Sequence, residues 1–346
     1  MRLGGDAMGL KRSLIAFAFV SSPVAGFADD GFFKDRQIRI VVGSAVGAGY
    51  DLNARLLARH WVNHIPGAPT IVVQNLVGAG SVIMANQIYN SAPKDGSTIG
   101  AAINGMPTAA LFTPEAVQYD PRKFIWIGST NRDTQISYAW HTAPVKTLDD
   151  LRTTELVIGA TSAGTTQYDY PIVAAKLLGL KYKVISGYKG TTDVHLAMER
   201  GEVQGMGSNA WLSLKALNEN WLLERKIIPL VHFNFERHPD LPNVPTIFEA
   251  TKTESDRQAM ALMVGRLEYG RPFFLPPGVP DARVEVLRKS FDMAVRDSKF
   301  LSEAERSKID VDPISGERVA ELVVRAMETP NEVVQRVSDA LASGAR

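Results

Sequence analysis

The strongest constraint in this chain is a repeated unit: an apolar run, a loop of glycine and other small residues, and a helical stretch behind it. The unit first occurs at residues 38–42, a β-branched run broken only by Arg39. Loop 43–50 follows, and then Leu52, Leu56, Leu57 and Trp61 at near-helical spacing over 51–62. It returns as strand 70–74, loop 75–81 and helix 82–89, and again as strand 156–159, loop 160–166 and helix 168–178. Strand 182–185, loop 187–192 and helix 193–199 make a further copy. Strands that alternate with helices predict an α/β fold with mostly parallel sheets, covered on both faces.

The remaining segments fit this frame. Strands are predicted at 98–103, 124–129, 206–210, 227–233 and 269–275, and helices at 211–218, 255–263, 282–298, 315–327 and 331–341. The proline-rich stretch 238–245 suits neither a central strand nor a helix interior and reads as a surface loop. The pattern restarts near Ile136, and 346 residues leave room for two α/β domains. Two lobes are expected, with 35–132 and 262–346 in the first and 133–261 in the second.

Charge and composition narrow the function. Lys and Arg total 38 against 37 Asp and Glu, with no long basic run, which disfavours nucleic acid as a partner. The chain has no cysteine, which excludes disulfides and thiolate-ligated metals. Arg2, Lys11 and Arg12 precede an apolar run at 14–20, small residues at 23–28 and the acids Asp29 and Asp30. That order is a secretory signal, best cut after Ala28, and the run is too short to span a bilayer. A soluble, monomeric protein in the periplasm is the expectation.

The loops carry the chemistry. Glycines at 43, 47 and 49 let a ligand approach the backbone, and the helix behind offers free N–H groups to an anion. Ser44, Ser81, Ser162, Thr165 and Thr166 add hydroxyls. Asp51, at a helix start, reads as a cap, as a group that holds the loop open, or as one that meets the ligand through water. The first loop lacks the dinucleotide spacing, no loop ends in Lys-Ser or Lys-Thr, and there is no Gly-x-Ser-x-Gly elbow. The histidines form no convincing metal set, and His60 and His64 read as partly exposed helix residues. Neither a cofactor nor a metal is expected, and binding rather than catalysis is the expected function. Tyr50, Tyr168, Tyr188 and Trp211 lie in or beside the loops as packing residues or ligand walls, and Lys189 and Arg271 are candidate counter-charges for a carboxylate.

Six motifs in order resemble the Bug/TctC family, the extracytoplasmic solute-binding receptors of tripartite tricarboxylate transport systems. They are residues 40–51, the Asn-x-x-Gly-Ala-Gly loop at 75–80, the Ala-Pro-Lys-Asp-Gly turn at 92–96, loop 159–166, Tyr-Lys-Gly at 188–190 and Leu-Pro-Asn-Val-Pro-Thr at 241–246. The resemblance spans nearly all of the chain beyond the signal. It implies a two-lobed type II periplasmic binding protein fold that closes on a small organic carboxylate. It also implies a large and a small integral membrane subunit as partners. A sensor that signals without transport is the alternative.

The candidate binding set in the first lobe is Ser44, Ala45, Val46, Gly47, Ala48, Tyr50, Asp51, Gly80, Ser81 and Met106, with Arg271. In the second lobe it is Ser162, Ala163, Gly164, Thr165, Thr166, Tyr168, Lys189, Gly190 and Asn209. The sequence departs from the family pattern at Gly43, Ala45 and Val46, at Tyr168 in place of a common His, and at residues 269–272 in place of Trp-x-Gly. Tyr50 and Tyr168 point toward a bulky or aromatic acid among the di-, tri- and aromatic carboxylates.

Overall fold

A computed structural model describes residues 1, 31–161 and 163–344. The expected signal segment and Ser162 lie outside the described residues. Among those described, no helix is long and apolar enough to cross a membrane.

The first lobe opens with β1 (Gln37–Val42), α1 (Gly49–Trp61), β2 (Thr70–Asn75), α2 (Val82–Ser91), β3 (Thr98–Ala101), α3 (Ala109–Phe112) and β4 (Ile125–Ser129). The chain then enters the second lobe with β5 (Gln135–Trp140), α4 (Asp150–Thr153), β6 (Leu156–Gly159), α5 (Thr166–Leu178), β7 (Tyr182–Ile185) and α6 (Thr191–Glu199). It continues there through β8 (Gly205–Ala210), α7 (Trp211–Leu217), α8 (Glu219–Leu223), β9 (Ile227–Phe233) and α9 (Glu254–Gly265). It returns with β10 (Pro272–Leu275), α10 (Asp281–Ala294), α11 (Ser298–Arg306), β11 (Ile314–Ser315) and α12 (Gly316–Met327), and ends on α13 (Asn331–Gly344).

The two sheets have orders β11-β4-β10-β3-β1-β2 and β7-β6-β8-β5-β9. The strand–loop–helix units pair in parallel, β1 with β2 and β3, and β6 with β7 and β8. Strands arriving from the other lobe run against them: β10 is antiparallel to β3 and β4, and β5 is antiparallel to β8 and β9. The sheets are therefore mixed rather than mostly parallel. A strand that crosses from the facing lobe enters at the edge where the parallel strands end, so it must run backwards. Residues 135–140 read in sequence only as the place where the pattern restarts, yet β5 is buried along its whole length in the sheet interior.

Burial follows the sequence pattern where that pattern is strong. Ile38, Ile40 and Val42 of β1 face the first core, where Leu56, Leu57 and Trp61 of α1 cover them. Leu52 does not belong to that face and is 48% exposed, whereas the polar Asp51 and Asn53 are buried. The expected lobe boundary also shifts. Val333, Val334, Val337 and Ala340 of α13 pack with α5 and α9 in the core of the second lobe. The stretch 262–346, expected wholly in the first lobe, is thus divided. α13 has an apolar face that α5 and α9 cover, so a further crossing near residues 328–330 takes the chain back.

Candidate functional site

Strand direction decides where the loops gather. Because β1, β2 and β3 are parallel, loops 43–48, 76–81 and 102–106 leave one edge of the first sheet. β10 runs the other way, so Arg271 enters at that same edge, and β4 ends there and feeds residues 130–134 into the second lobe. In the second sheet, loops 160–165 and 186–190 and the end of β8 leave the edge at which β5 begins. The two loop-bearing edges therefore face one another across the crossing segments, the geometry in which open α/β sheets place ligands.

In the first lobe, loop 43–48 turns through Gly47 at φ +78° and runs into α1. Ala45, Val46, Gly47 and Gly49 are exposed, Ala48 and Tyr50 are half-buried, and Ser44 is buried with no partner for its hydroxyl. Asp51 explains the turn. Its carboxylate accepts from the Gly47 amide at 2.8 Å, from Arg55 Nε at 3.0 Å and from Asn75 Nδ2 at 2.9 Å. Burial pushes this carboxyl up, but the Arg55, Gly47 and Asn75 hydrogen bonds outweigh it and hold the group below its ordinary value. Asp51 therefore holds the loop, and the Gly47 amide expected to grip a ligand is already taken.

Ser81 has a similar internal role. Its fully buried hydroxyl donates to the Gly43 carbonyl at 3.1 Å and accepts from the Ile103 amide at 3.0 Å, which ties three loops together. A side chain at position 43 would collide with Ser81, so the glycine there serves a close approach. Gly80 stays exposed beside it. The Tyr50 hydroxyl accepts from the Asn104 amide at 3.2 Å, and burial, then Asp133, push its phenol up to about 12. The Arg271 guanidinium lies 5.9 Å from the Tyr50 ring centre, beside Gly49 at the start of α1, and its buried Nη1 has no partner. An unpaired buried guanidinium nitrogen beside the free first-turn amides of α1 is a ready anchor for an anion.

The second lobe repeats the capping device. Gly164 turns at φ +88°, and its amide donates to Asp169 Oδ1 at 2.9 Å, so this donor too is taken. Asp169 pairs with Arg266 Nη2 at 3.7 Å, and Arg266 Nε donates to the Tyr170 hydroxyl at 3.2 Å. Behind the loop lies a cavity of about 340 Å³ lined by Gln135, Thr166, Gln167, Thr191, His195, Asn209 and Ser213, among others. His195 Nε2 sits 2.9 Å from the Tyr138 hydroxyl, and burial lowers the imidazole to about 4, which keeps it neutral at pH 7.

The crossing segments form the floor between the lobes. The Asp133 amide donates to the Leu267 carbonyl at 2.9 Å, and the Arg271 amide donates to Ser129 Oγ at 3.0 Å. Asn131 Nδ2 donates to Asp133 Oδ1 at 2.7 Å. Arg266 belongs to this floor, under Gly105, with a buried Nη2 that makes no hydrogen bond, and the buried Tyr269 hydroxyl has no partner either.

The structure gathers Ser44, Ala45, Val46, Ala48, Tyr50, Gly80, Thr165, Thr166, Gly190, Asn209 and Arg271 at these facing edges, with exposed Ala163 on the Gly164 loop. Two expected residues, Tyr168 and Met106, go elsewhere. Tyr168 is buried and donates its hydroxyl to the Gly344 carbonyl of α13, so it packs helices and supplies no ligand wall. Met106 is fully buried, and its carbonyl accepts from the Tyr119 hydroxyl at 2.7 Å. Lys189 lies on loop 186–190 at the facing edge, exposed and outside the lining of the second-lobe cavity. Trp211 also packs, with its indole N–H on Asp240 at 3.0 Å. Sequence reading missed Arg266, Gln135, Gln167 and His195. Only Arg266 carried a signal, as a second arginine in the return segment that already held Arg271.

Comparison with known proteins agrees with this geometry. The sequence pattern of the tripartite tricarboxylate transporter family receptors matches residues 54–338. A protein of Cupriavidus necator, described as a UPF0065 protein in the gbd 5' region, is 23% identical over 95% of both chains. A UPF0065 protein of Pseudomonas sp. strain P51 is 26% identical over 81% of this chain and 80% of its own. Among solved structures, a TctC solute-binding protein from Polaromonas superposes with a TM-score of 0.66 at 19% identity, over 87% of this chain and 98% of that one. MatC from Rhodopseudomonas palustris with bound malate gives 0.59 at 22% identity, over 88% and 99%. A further R. palustris protein, with adipate, gives 0.61 at 20% identity, over 87% and 97%. The fold, the facing loop edges and the family match lead to one conclusion: this chain belongs to the receptor family of the tripartite tricarboxylate transporters.

Proposed function

We propose that this chain is an exported receptor that captures a small organic carboxylate between its lobes and delivers it, chemically unchanged, to a large and a small membrane subunit. The observation that carries the reading is the half-buried Arg271 guanidinium, its buried Nη1 unpaired, beside the start of α1 and the exposed residues 45–47. Malate bound to MatC and adipate bound to a second relative are carboxylates of the size such a cleft would take. The arrangement of residues 2–28 as a secretory signal supports export to the periplasm.

The test is thermal unfolding of the signal-free protein with di-, tri- and aromatic carboxylates, followed by calorimetry. A true ligand at a hundred times its Kd should add about 2.7 kcal/mol to apparent stability. Arg271→Gln should weaken that ligand by about tenfold or more, as a lost charge-assisted contact would. A protein that no carboxylate stabilises would rule the reading out.

A further inference from the structure

We infer that the first lobe carries a second anion site, apart from the cleft, which takes a short-chain monocarboxylate between its sheet and α2. A cavity of about 220 Å³ lies there, lined by residues of β1, β2, β3 and α2 and the ends of those elements. At about 30 Å³ for each water, it has room for a body of about seven heavy atoms. All of its lining belongs to the first lobe, on the sheet face that α2 covers. The cleft lies instead beyond the edge at which the loops leave.

Arg39 supplies the charge. It sits within β1, opposite Val72 of β2 and Thr98 of β3, and its side chain lines the cavity. The half-buried Arg55, Arg266, Arg288, Arg318 and Arg336 each pair with an acid. Arg39 is also half-buried, yet among the described residues it forms no ion pair. Its side chain makes one hydrogen bond, from Nη2 to Thr98 Oγ1 at 3.2 Å, and the enclosed Nε makes none. No acidic side chain lines the cavity. A half-buried cation without a counter-charge is costly, and a carboxylate set against the guanidinium fork removes that cost.

The rest of the lining selects the body of the ligand. Val41, Leu76, Ile88 and Ala92 belong to the apolar cluster under α2 and form one wall. Gln74, Gln87 and Ser91 are exposed and supply amide and hydroxyl donors at the mouth. Asn75 also lines the space, but its side chain is committed to Asp51, Arg55 and the Ser44 carbonyl. A carboxylate with a short aliphatic tail can place its charge on Arg39 and its methylenes on the apolar wall. An inorganic oxyanion would leave that wall wet.

The experiment is an amide NMR titration of the signal-free protein with butyrate, with its neutral isostere butyramide, and with sulfate at matched ionic strength. The amides of Val41, Gln74 and Gln87 report this cavity, and those of residues 45–49 report the cleft. The two sites are thus read separately, and failure at one leaves the other standing. Butyrate should shift the cavity amides to saturation, and butyramide and sulfate should need about tenfold or more higher concentration. Butyrate that leaves the cavity amides unmoved overturns the inference. Equal potency of butyramide overturns the role of charge, and equal or greater potency of sulfate overturns the choice of an apolar-tailed acid.

Arg39→Gln should weaken butyrate at the cavity amides by about tenfold or more, whereas Arg271→Gln should leave that affinity unchanged. Melting temperatures establish that each variant is folded. Gln87→Glu, at an exposed position of α2, keeps the arginine and sets a competing carboxylate at the mouth, so it too should weaken butyrate. Parental affinity in a folded Arg39→Gln or Gln87→Glu protein removes the site.

Discussion

Asp51 and Asp169 occupy equivalent places in the two lobes, yet their surroundings shift their carboxyls in opposite directions. Each lies in the first turn of the helix behind a glycine loop and accepts the amide of a glycine with positive φ, Gly47 or Gly164. Asp51 also receives Arg55 and Asn75, and its carboxyl sits below the ordinary value. Asp169 is raised by burial, which the more distant Arg266 and the Gly164 amide only partly offset. Backbone geometry alone, therefore, does not set the charge economy of a loop. The first lobe has a clasp whose charged form its partners favour, whereas in the second burial disfavours the charged form.

The largest expected effect breaks the comparison at the clasp. In Asp51→Asn, either amide orientation turns an NH2 group toward existing donors, because Arg55 and Asn75 address Oδ1 while Gly47 and Arg55 address Oδ2. The cost should be about 2–3 kcal/mol in urea unfolding. Asp169→Asn keeps an oxygen for Gly164 and removes a carboxylate that burial disfavours more than Arg266 favours it, so it should cost less than Asp51→Asn. Equal losses would mean that the two clasps are energetically alike.

A smaller effect separates them by pH. Asp169 is raised in the folded state, so its contribution is fully present below the unfolded pKa, about 3.9, and is lost as pH rises through the folded value. Asp51 is lowered, so its contribution is present above the unfolded pKa and is lost as pH falls through the folded value. Carbon-13 titration of the two carboxyls should give Asp169 the higher midpoint and Asp51 the lower. In stability-versus-pH curves, Asp169→Asn should remove the decline just above the ordinary carboxylate range, and Asp51→Asn should reduce the decline below it. Coincident midpoints would contradict the difference.

Much of this site was legible because its signals are local. Glycine loops between apolar strands and helices fixed the α/β frame, and the position of Asp51 marked a group that holds its loop. Pairing over long range was not legible. Strand β5 lacks a strong apolar run because its direction and register come from β8 and β9, which follow it by many residues. Tyr168 sits next to a binding loop in sequence, but helical rotation turns it toward α13. Gln167, its neighbour on the helix, lines the second-lobe cavity instead. Gln135 and His195 joined the site only because β5 and α6 were brought to the end of β8, which no local spacing encodes.

The smallest difference is expected at the glycines themselves, and it tests whether the contrast lies in the carboxyls rather than in the turns. Gly47 and Gly164 have φ of +78° and +88°, and a methyl group at either would meet nothing within 4 Å. Replacing each with alanine should therefore cost only the left-handed backbone penalty, about 1–2 kcal/mol. The two values should agree to within about 0.5 kcal/mol, the usual scatter for independent sites. A Gly47→Ala cost well above that of Gly164→Ala would show that the Asp51 network has fixed its turn more tightly. In that case the stiffness of the clasp would reach the backbone. Matched costs would confine the difference between the lobes to the two carboxyl groups and their partners.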